Sequence, residues 1–134
     1  MANLVKNGDF SQQGAHWTAT DPENVRFVTG HCIIAAPDSI SQDVPAGAGG
    51  GGQFMLFARV KTLSGHGARI TVQPLPTGEP VHLDLHGGAE WDVLSAKFEV
   101  QISTIAFRVT LEGSDGEFGV PGSYFGDVTL SKLL

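Results

Sequence analysis

Phe54, Leu56, Ala58 and Val60 alternate with Met55, Phe57, Arg59 and Lys61, a period of two that suits a strand with one face buried and that no helix can use. The pattern recurs. Ile70 and Val72 alternate with Arg69, Thr71 and Gln73. Val81, Leu83 and Leu85 alternate with His82, Asp84 and His86, and Ile105, Phe107, Val109 and Leu111 with Thr104, Arg108, Thr110 and Glu112. Eighteen Gly and seven Pro are scattered through the chain, and no window of a dozen residues holds a three-to-four apolar period, so helix has nowhere to form. Strands are expected at 3–6, 25–28, 31–35, 38–44, 53–62, 68–74, 80–86, 92–100, 103–111 and 124–132. Short alternating strands at regular spacing indicate an all-β, two-sheet antiparallel β-sandwich of jelly-roll type.

The 134 residues suit one domain over 1–134, and 41% hydrophobic with 16% charged residues is a globular balance. A net charge of -6 with eight Lys plus Arg argues against nucleic acid as a partner. The apolar runs are only a few residues long, which argues against membrane insertion. Cys32 has no intrachain disulfide partner and sits in the strand-like His31-Cys32-Ile33-Ile34-Ala35, where a buried small hydrophobe is expected. The first ten residues lack the basic start and apolar stretch of a secretory signal, so the chain as it stands reads as cytoplasmic, with a removed leader or non-classical release as the other routes. Ala46-Gly47-Ala48-Gly49-Gly50-Gly51-Gly52 reads as a flexible connection, because the strand-like Gln53-Phe54-Met55-Leu56-Phe57 follows it and a phosphate-cradling loop needs a helix there.

Five ordered segments carry a resemblance. They are Asn3-Leu4-Val5-Lys6-Asn7-Gly8-Asp9-Phe10 with His16-Trp17, Ser39-Ile40-Ser41-Gln42-Asp43-Val44, Phe54 to Lys61, Trp91-Asp92-Val93-Leu94-Ser95-Ala96-Lys97-Phe98, and Phe125-Gly126-Asp127-Val128-Thr129-Leu130. In this order and spacing the chain resembles the carbohydrate-binding modules of the four, nine and twenty-two group, which share a galactose-binding-like jelly roll. The resemblance implies first and last strands that meet, and a structural calcium (Ca2+) there, with Asp9 and Asp127 as anionic ligands and Ser11 or backbone near Gly30 completing the shell. It also implies that Trp17 and Trp91 pack structurally.

A sugar site needs an aromatic face for the C–H side of the ring and polar groups for its hydroxyls. Outward parity offers Phe57, Arg59, Arg69, Gln73, His82, Asp84, Arg108 and Glu112 on the sheets, with Tyr124 and Phe118 on a rim formed by the loops after Glu112. The net charge of -6 suits a neutral or weakly acidic glycan better than a sulfated one, and Arg59, Arg69 and Arg108 would reverse that locally if they clustered. His82, Asp84 and His86 lie roughly 6 to 7 Å apart along one strand face, and scattered solvated histidines are expected there rather than a transition-metal site. No nucleophile elbow, no His-Glu-x-x-His and no oriented Cys-His pair is present, so no enzyme is expected. The reading is therefore a lectin-like module that binds a glycan or small sugar without catalysis, with homo-oligomerisation as a route to avidity. The rival is a protein-interaction or self-assembly module using Met55, Phe57 and the Gly-rich loop.

Overall fold

A computed structural model describes residues 3–47, 51–88 and 90–133. The fold is an all-β sandwich of two five-stranded antiparallel sheets. The strands are β1 (Thr18–Ala19), β2 (Val25–Val28), β3 (His31–Ala35), β4 (Ser39–Pro45), β5 (Gly52–Thr62), β6 (Gly67–Leu75), β7 (Val81–His86), β8 (Asp92–Val100), β9 (Ala106–Asp115) and β10 (Pro121–Lys132). The first sheet runs β1-β4-β9-β6-β7 and the second β2-β3-β10-β5-β8. The expected flexible connection lies partly outside the described residues, at Ala48, Gly49 and Gly50; Gly52 already belongs to β5.

Period-two patterning decides which side chains meet between the sheets. Phe54, Leu56, Ala58 and Val60 of β5 are fully buried, as are Ile70 and Val72 of β6 and Phe107, Val109 and Leu111 of β9. Phe54 and Phe107 meet edge to face across the core at 4.8 Å, an arrangement the aromatic quadrupole favours. Cys32 is buried as expected, and burial pushes its thiol pKa up to about 12. Ile105 departs from its expected parity. It precedes β9, stays 70% exposed, and leaves the inward place to Thr104.

The opening segment also departs from expectation. Residues 3–6 form no strand: Asn3 and Leu4 are irregular, Val5 bends the chain and Lys6 begins a turn. Their backbone still docks on β10, because Leu4 N–H donates to the Leu130 carbonyl at 2.8 Å and Val128 N–H to the Gly8 carbonyl at 2.9 Å. Between these bonds the Asn3 side chain replaces ladder groups: its Oδ1 accepts from Leu130 N–H and its Nδ2 donates to the Val128 carbonyl. Gly8 is required at this approach, since a Cβ there would run into the Val128 carbonyl oxygen. Asn7 then folds the following turns, taking the Gln12 N–H on its Oδ1 and donating Nδ2 to the carbonyls of Gln13 and Ala15. Trp17, buried against Phe10 at 5.6 Å, donates its indole N–H to the Asn7 carbonyl. Trp17 is thus the structural tryptophan that the resemblance implies.

β10 carries the irregularity on which the site depends. Gly126 pairs with Arg59 and Thr129 with Phe57, so three steps on β10 face two on β5, which is a β-bulge. Phe125 and Val128 both reach the core. In a regular strand the inward position after Phe125 would have been Asp127; the bulge, with Asp127 at φ +48, turns that carboxylate out to solvent.

Candidate functional site

The ten residues nominated for sugar do not form one surface. Phe57, Arg59 and Tyr124 lie on the second sheet, while Arg69, Gln73, His82, Asp84, Arg108 and Glu112 lie on the first. The sandwich core separates the two sets, so Arg59 cannot cluster with Arg69 and Arg108.

On the first sheet the outward groups satisfy one another. Arg108 grips Asp43, its register partner, through Nε and Nη2 at 2.8 and 3.0 Å, and this contact holds the Asp43 carboxyl below its usual range. Arg69 donates Nε to Asp84 at 2.7 Å across β6–β7, which raises the guanidinium pKa further. Thr71 and His82 pair at 2.9 Å, His86 meets Asp115 at 2.8 Å, and Gln73 donates to the carbonyls of Pro74 and Gly78. The three residues of the His82-Asp84-His86 run therefore turn to three different cross-strand partners. No Phe, Trp or Tyr points outward from the described residues of this sheet, so a sugar ring finds no stacking surface there.

The second sheet supplies one. On its outer face the rings of His31, Trp91 and Tyr124 lie together, with centroids 5.7 Å (His31–Trp91), 5.9 Å (His31–Tyr124) and 6.2 Å (Trp91–Tyr124) apart. The Arg59 guanidinium carbon stands 4.8 Å from the Trp91 ring centre and Lys61 Nζ 5.2 Å from that of Tyr124, both within cation–π range. Register explains the grouping. One row across the sheet reads Arg26, Ile33, Tyr124, Lys61; the next reads Gly126, Arg59, Val93, with His31, the partner of Val28, beside Gly126, where a Cβ would stand 3.8 Å from the His31 Cβ. Gly126 puts no side chain into the middle of that second row, and a Cβ there would come within 3.0 Å of the Gly30 carbonyl and 3.9 Å of the Trp91 ring. Trp91 reaches the face from the β7–β8 connection, where Gly87 and Gly88 take φ of +80° and +76°.

Trp91 is thus half-buried on an outer face rather than packed in the core. Tyr124 is part of a strand, whereas Phe118 alone projects from the β9–β10 loop, 78% exposed. Trp91, His31 and Lys61, which the sequence does not single out for sugar, complete this group beside Tyr124 and Arg59. A signal for Trp91 existed: it shares parity with Val93, Ser95, Lys97 and Glu99, the outward side of β8, and not with Leu94, Ala96, Phe98 and Val100.

The expected calcium is overturned. The ends of the chain do meet, and Asp9 and Asp127 line one shallow depression with Asn3, Asn7 and Gly8. Yet among the described residues no group of three or more His, Cys, Asp or Glu is placed to hold a metal ion. Asp127 already has a cation, Arg59 Nη1 at 3.1 Å from its Oδ2. Asp9 Oδ1 accepts the Ser11 N–H at 3.1 Å in a local turn that lowers its pKa, so Ser11 serves the turn. Gly30 turns the β2–β3 hairpin at φ +93° with its carbonyl beside Gly126.

No family model matches the sequence, nor does any curated protein. Solved structures do match in fold. A family 61 carbohydrate-binding module in complex with β-1,4-galactotriose superposes with a TM-score of 0.71 at 15% identity, covering 99% of this chain and 100% of that one. A family 4 carbohydrate-binding module gives 0.72 at 13% identity, over 96% of this chain and 99% of that one. The C-terminal family 22 module of Clostridium thermocellum Xyn10B gives 0.63 at 13%, over 96% and 95%. The likeness spans several such families and singles out no one group, which is broader than the resemblance read from the sequence.

Proposed function

We propose that this chain is a non-catalytic carbohydrate-binding domain whose sugar site is the outer face of the second sheet, with Trp91 and Tyr124 as the stacking rings. The observation that carries the reading is the half-exposed ring group of His31, Trp91 and Tyr124, flanked by Arg59 and Lys61. An indole face offers a pyranose the apolar contact its C–H side needs, and the guanidinium and ammonium donors beside it suit the hydroxyls. The fold shared with modules that bind sugars supports the same reading, as an analogy of scaffold. A face this open gives modest affinity per site, and repetition of the domain, by oligomerisation or along a glycan, would raise it.

A glycan-array screen followed by calorimetry tests the proposal. Trp91→Ala and Tyr124→Ala are expected to weaken any hit at least tenfold, while Glu112→Gln on the opposite sheet leaves it unchanged. Binding lost with Glu112→Gln and kept with Trp91→Ala would move the site to the first sheet and overturn the reading.

A second reading, docking of a protein, rests on Ile102 and Ile105, exposed at 85% and 70% where β8 hands over to β9, at the far end of the sheet from Trp91. An array without hits, together with self-association lost in Ile102→Ser/Ile105→Ser, would favour it.

A further inference from the structure

Resting on the proposed sugar site, the charge distribution around it specifies the class of sugar. Of the eight basic residues in a chain of net charge -6, four project from the outer face of the second sheet: Arg26, Arg59, Lys61 and Lys97. Only two acids, Asp127 and Glu99, share that face among the described residues. The first sheet is the reverse, with Arg69 and Arg108 each held by an acid and Glu112 and Asp115 in addition. Cations gather on the one face that also carries the rings.

Their state of pairing sharpens the point. Arg59 is engaged by Asp127 and held over Trp91, which leaves most of its five donors free. Lys61 stands over Tyr124 and Arg26 is exposed two strands further on, and neither has a carboxylate within ion-pair distance among the described residues. Asp92, beside Trp91 in the chain, spends its Oδ1 on the Val93 N–H, and Glu90 is exposed in the preceding loop. The row from Arg26 through Tyr124 to Lys61 spans about 14 Å at the usual strand spacing, so an extended sugar stacked on the rings has an unpaired cation on either side of Tyr124.

We infer that the ligand of this face is an acidic glycan, one whose pyranose rings carry a carboxylate or a sulfate. The rings take the apolar side of the sugar, and Lys61 and Arg26 take its anions. The overall negative charge of the domain disfavours dense polyanions and leaves the preference local to this face.

The test measures binding of wild-type protein to oligosaccharides of galacturonate, glucuronate and mannuronate, each against its own carboxyl-reduced form, and to a sulfated galactan oligosaccharide, in 50 and 500 mM salt. At least one acidic oligosaccharide is expected to bind tenfold or more tighter than its neutral counterpart at low salt. The preference is expected to shrink in high salt and to vanish in Arg26→Gln/Lys61→Gln, so that this variant binds acidic and neutral forms alike. Tighter binding of the sulfated ligand than of any uronate would support the inference and assign the anion to sulfate. Equal binding of acidic and neutral forms, still lost in Trp91→Ala, overturns the charge inference and leaves the sugar site standing. Acidic binding untouched by Trp91→Ala, or no binding to any of these ligands or to the glycan array, overturns the site itself.

Discussion

Arg59 and Asp127 are joined by a 3.1 Å ion pair between residues 68 positions apart, and the pair exists only because β10 carries an extra residue opposite β5. Arg59 pairs in register with Gly126, so the bulge delivers the next residue, Asp127, outward beside the guanidinium. The same step keeps Val128 in the core and leaves Gly126 as the open floor beneath Trp91. A local kink of backbone thus sets the shape and the charge of the candidate site together.

The left-handed backbone at Asp127 yields a stability prediction. Asp tolerates φ of +48°, Gly adopts it without strain and a β-branched residue resists it. Loss of the exposed ion pair in Asp127→Gly costs less than about 1 kcal/mol. Asp127→Val adds the backbone penalty, for a total loss of about 2–3 kcal/mol. Urea denaturation of the three proteins checks the order; a Val variant as stable as the Gly variant would refute the bulge geometry.

The two tryptophans are expected to separate stability from binding. Trp17 is buried with its indole N–H bonded to Asn7, and Trp17→Ala is expected to cost about 3–5 kcal/mol. Trp91 loses a partly exposed ring and a cation–π contact, so Trp91→Ala is expected to cost ~1 kcal/mol. Chemical denaturation measures both, and a Trp91 variant as crippled as the Trp17 variant would return Trp91 to a structural role.

Nine of the ten strands were legible in the sequence because each has one buried face, and burial of alternate residues is what period two records. The exceptions have physical causes. Asn3 supplies side-chain groups where a first strand would supply a ladder, and β1 has only two residues, Thr18 and Ala19, too few to show a period. The division of the outward residues between two sheets was not legible, since parity says which residues face out and is silent on which strands are neighbours. Phe57 and Arg69 look equivalent in sequence and stand on opposite sides of the molecule. Trp91 reads as structural through the resemblance, whereas its parity with Val93, Ser95, Lys97 and Glu99 of β8 places it on the outer face.

The corrected metal site makes its own prediction. Asp127 is neutralised by Arg59 and Asp9 is spent on the turn at Ser11, so neither carboxylate awaits a cation. Chelation with EDTA is expected to leave the urea midpoint where it stands in millimolar calcium. A rise in stability that saturates with added calcium would contradict this, because a ligand that binds only the folded state stabilises it by mass action.

Asp43 gives the pH dependence. The Arg108 hydrogen bond lowers its pKa in the folded state below the ordinary value of about 3.9. A depressed carboxylate binds its proton more readily in the unfolded chain, so its contribution is complete above the unfolded pKa and fades as pH falls through the folded one. Both partners are about half exposed, 50% and 54%, and solvent screening holds the contribution below about 1 kcal/mol. The stability gap between wild type and Asp43→Asn is therefore expected to be constant from pH 7 to pH 5 and to narrow as the pH falls below the unfolded value of about 3.9. A gap that does not narrow on acidification, or that widens, would show that Asp43 does not act through its charge on Arg108. In that case the first sheet's outer face would lose the pairing that argues against a sugar there.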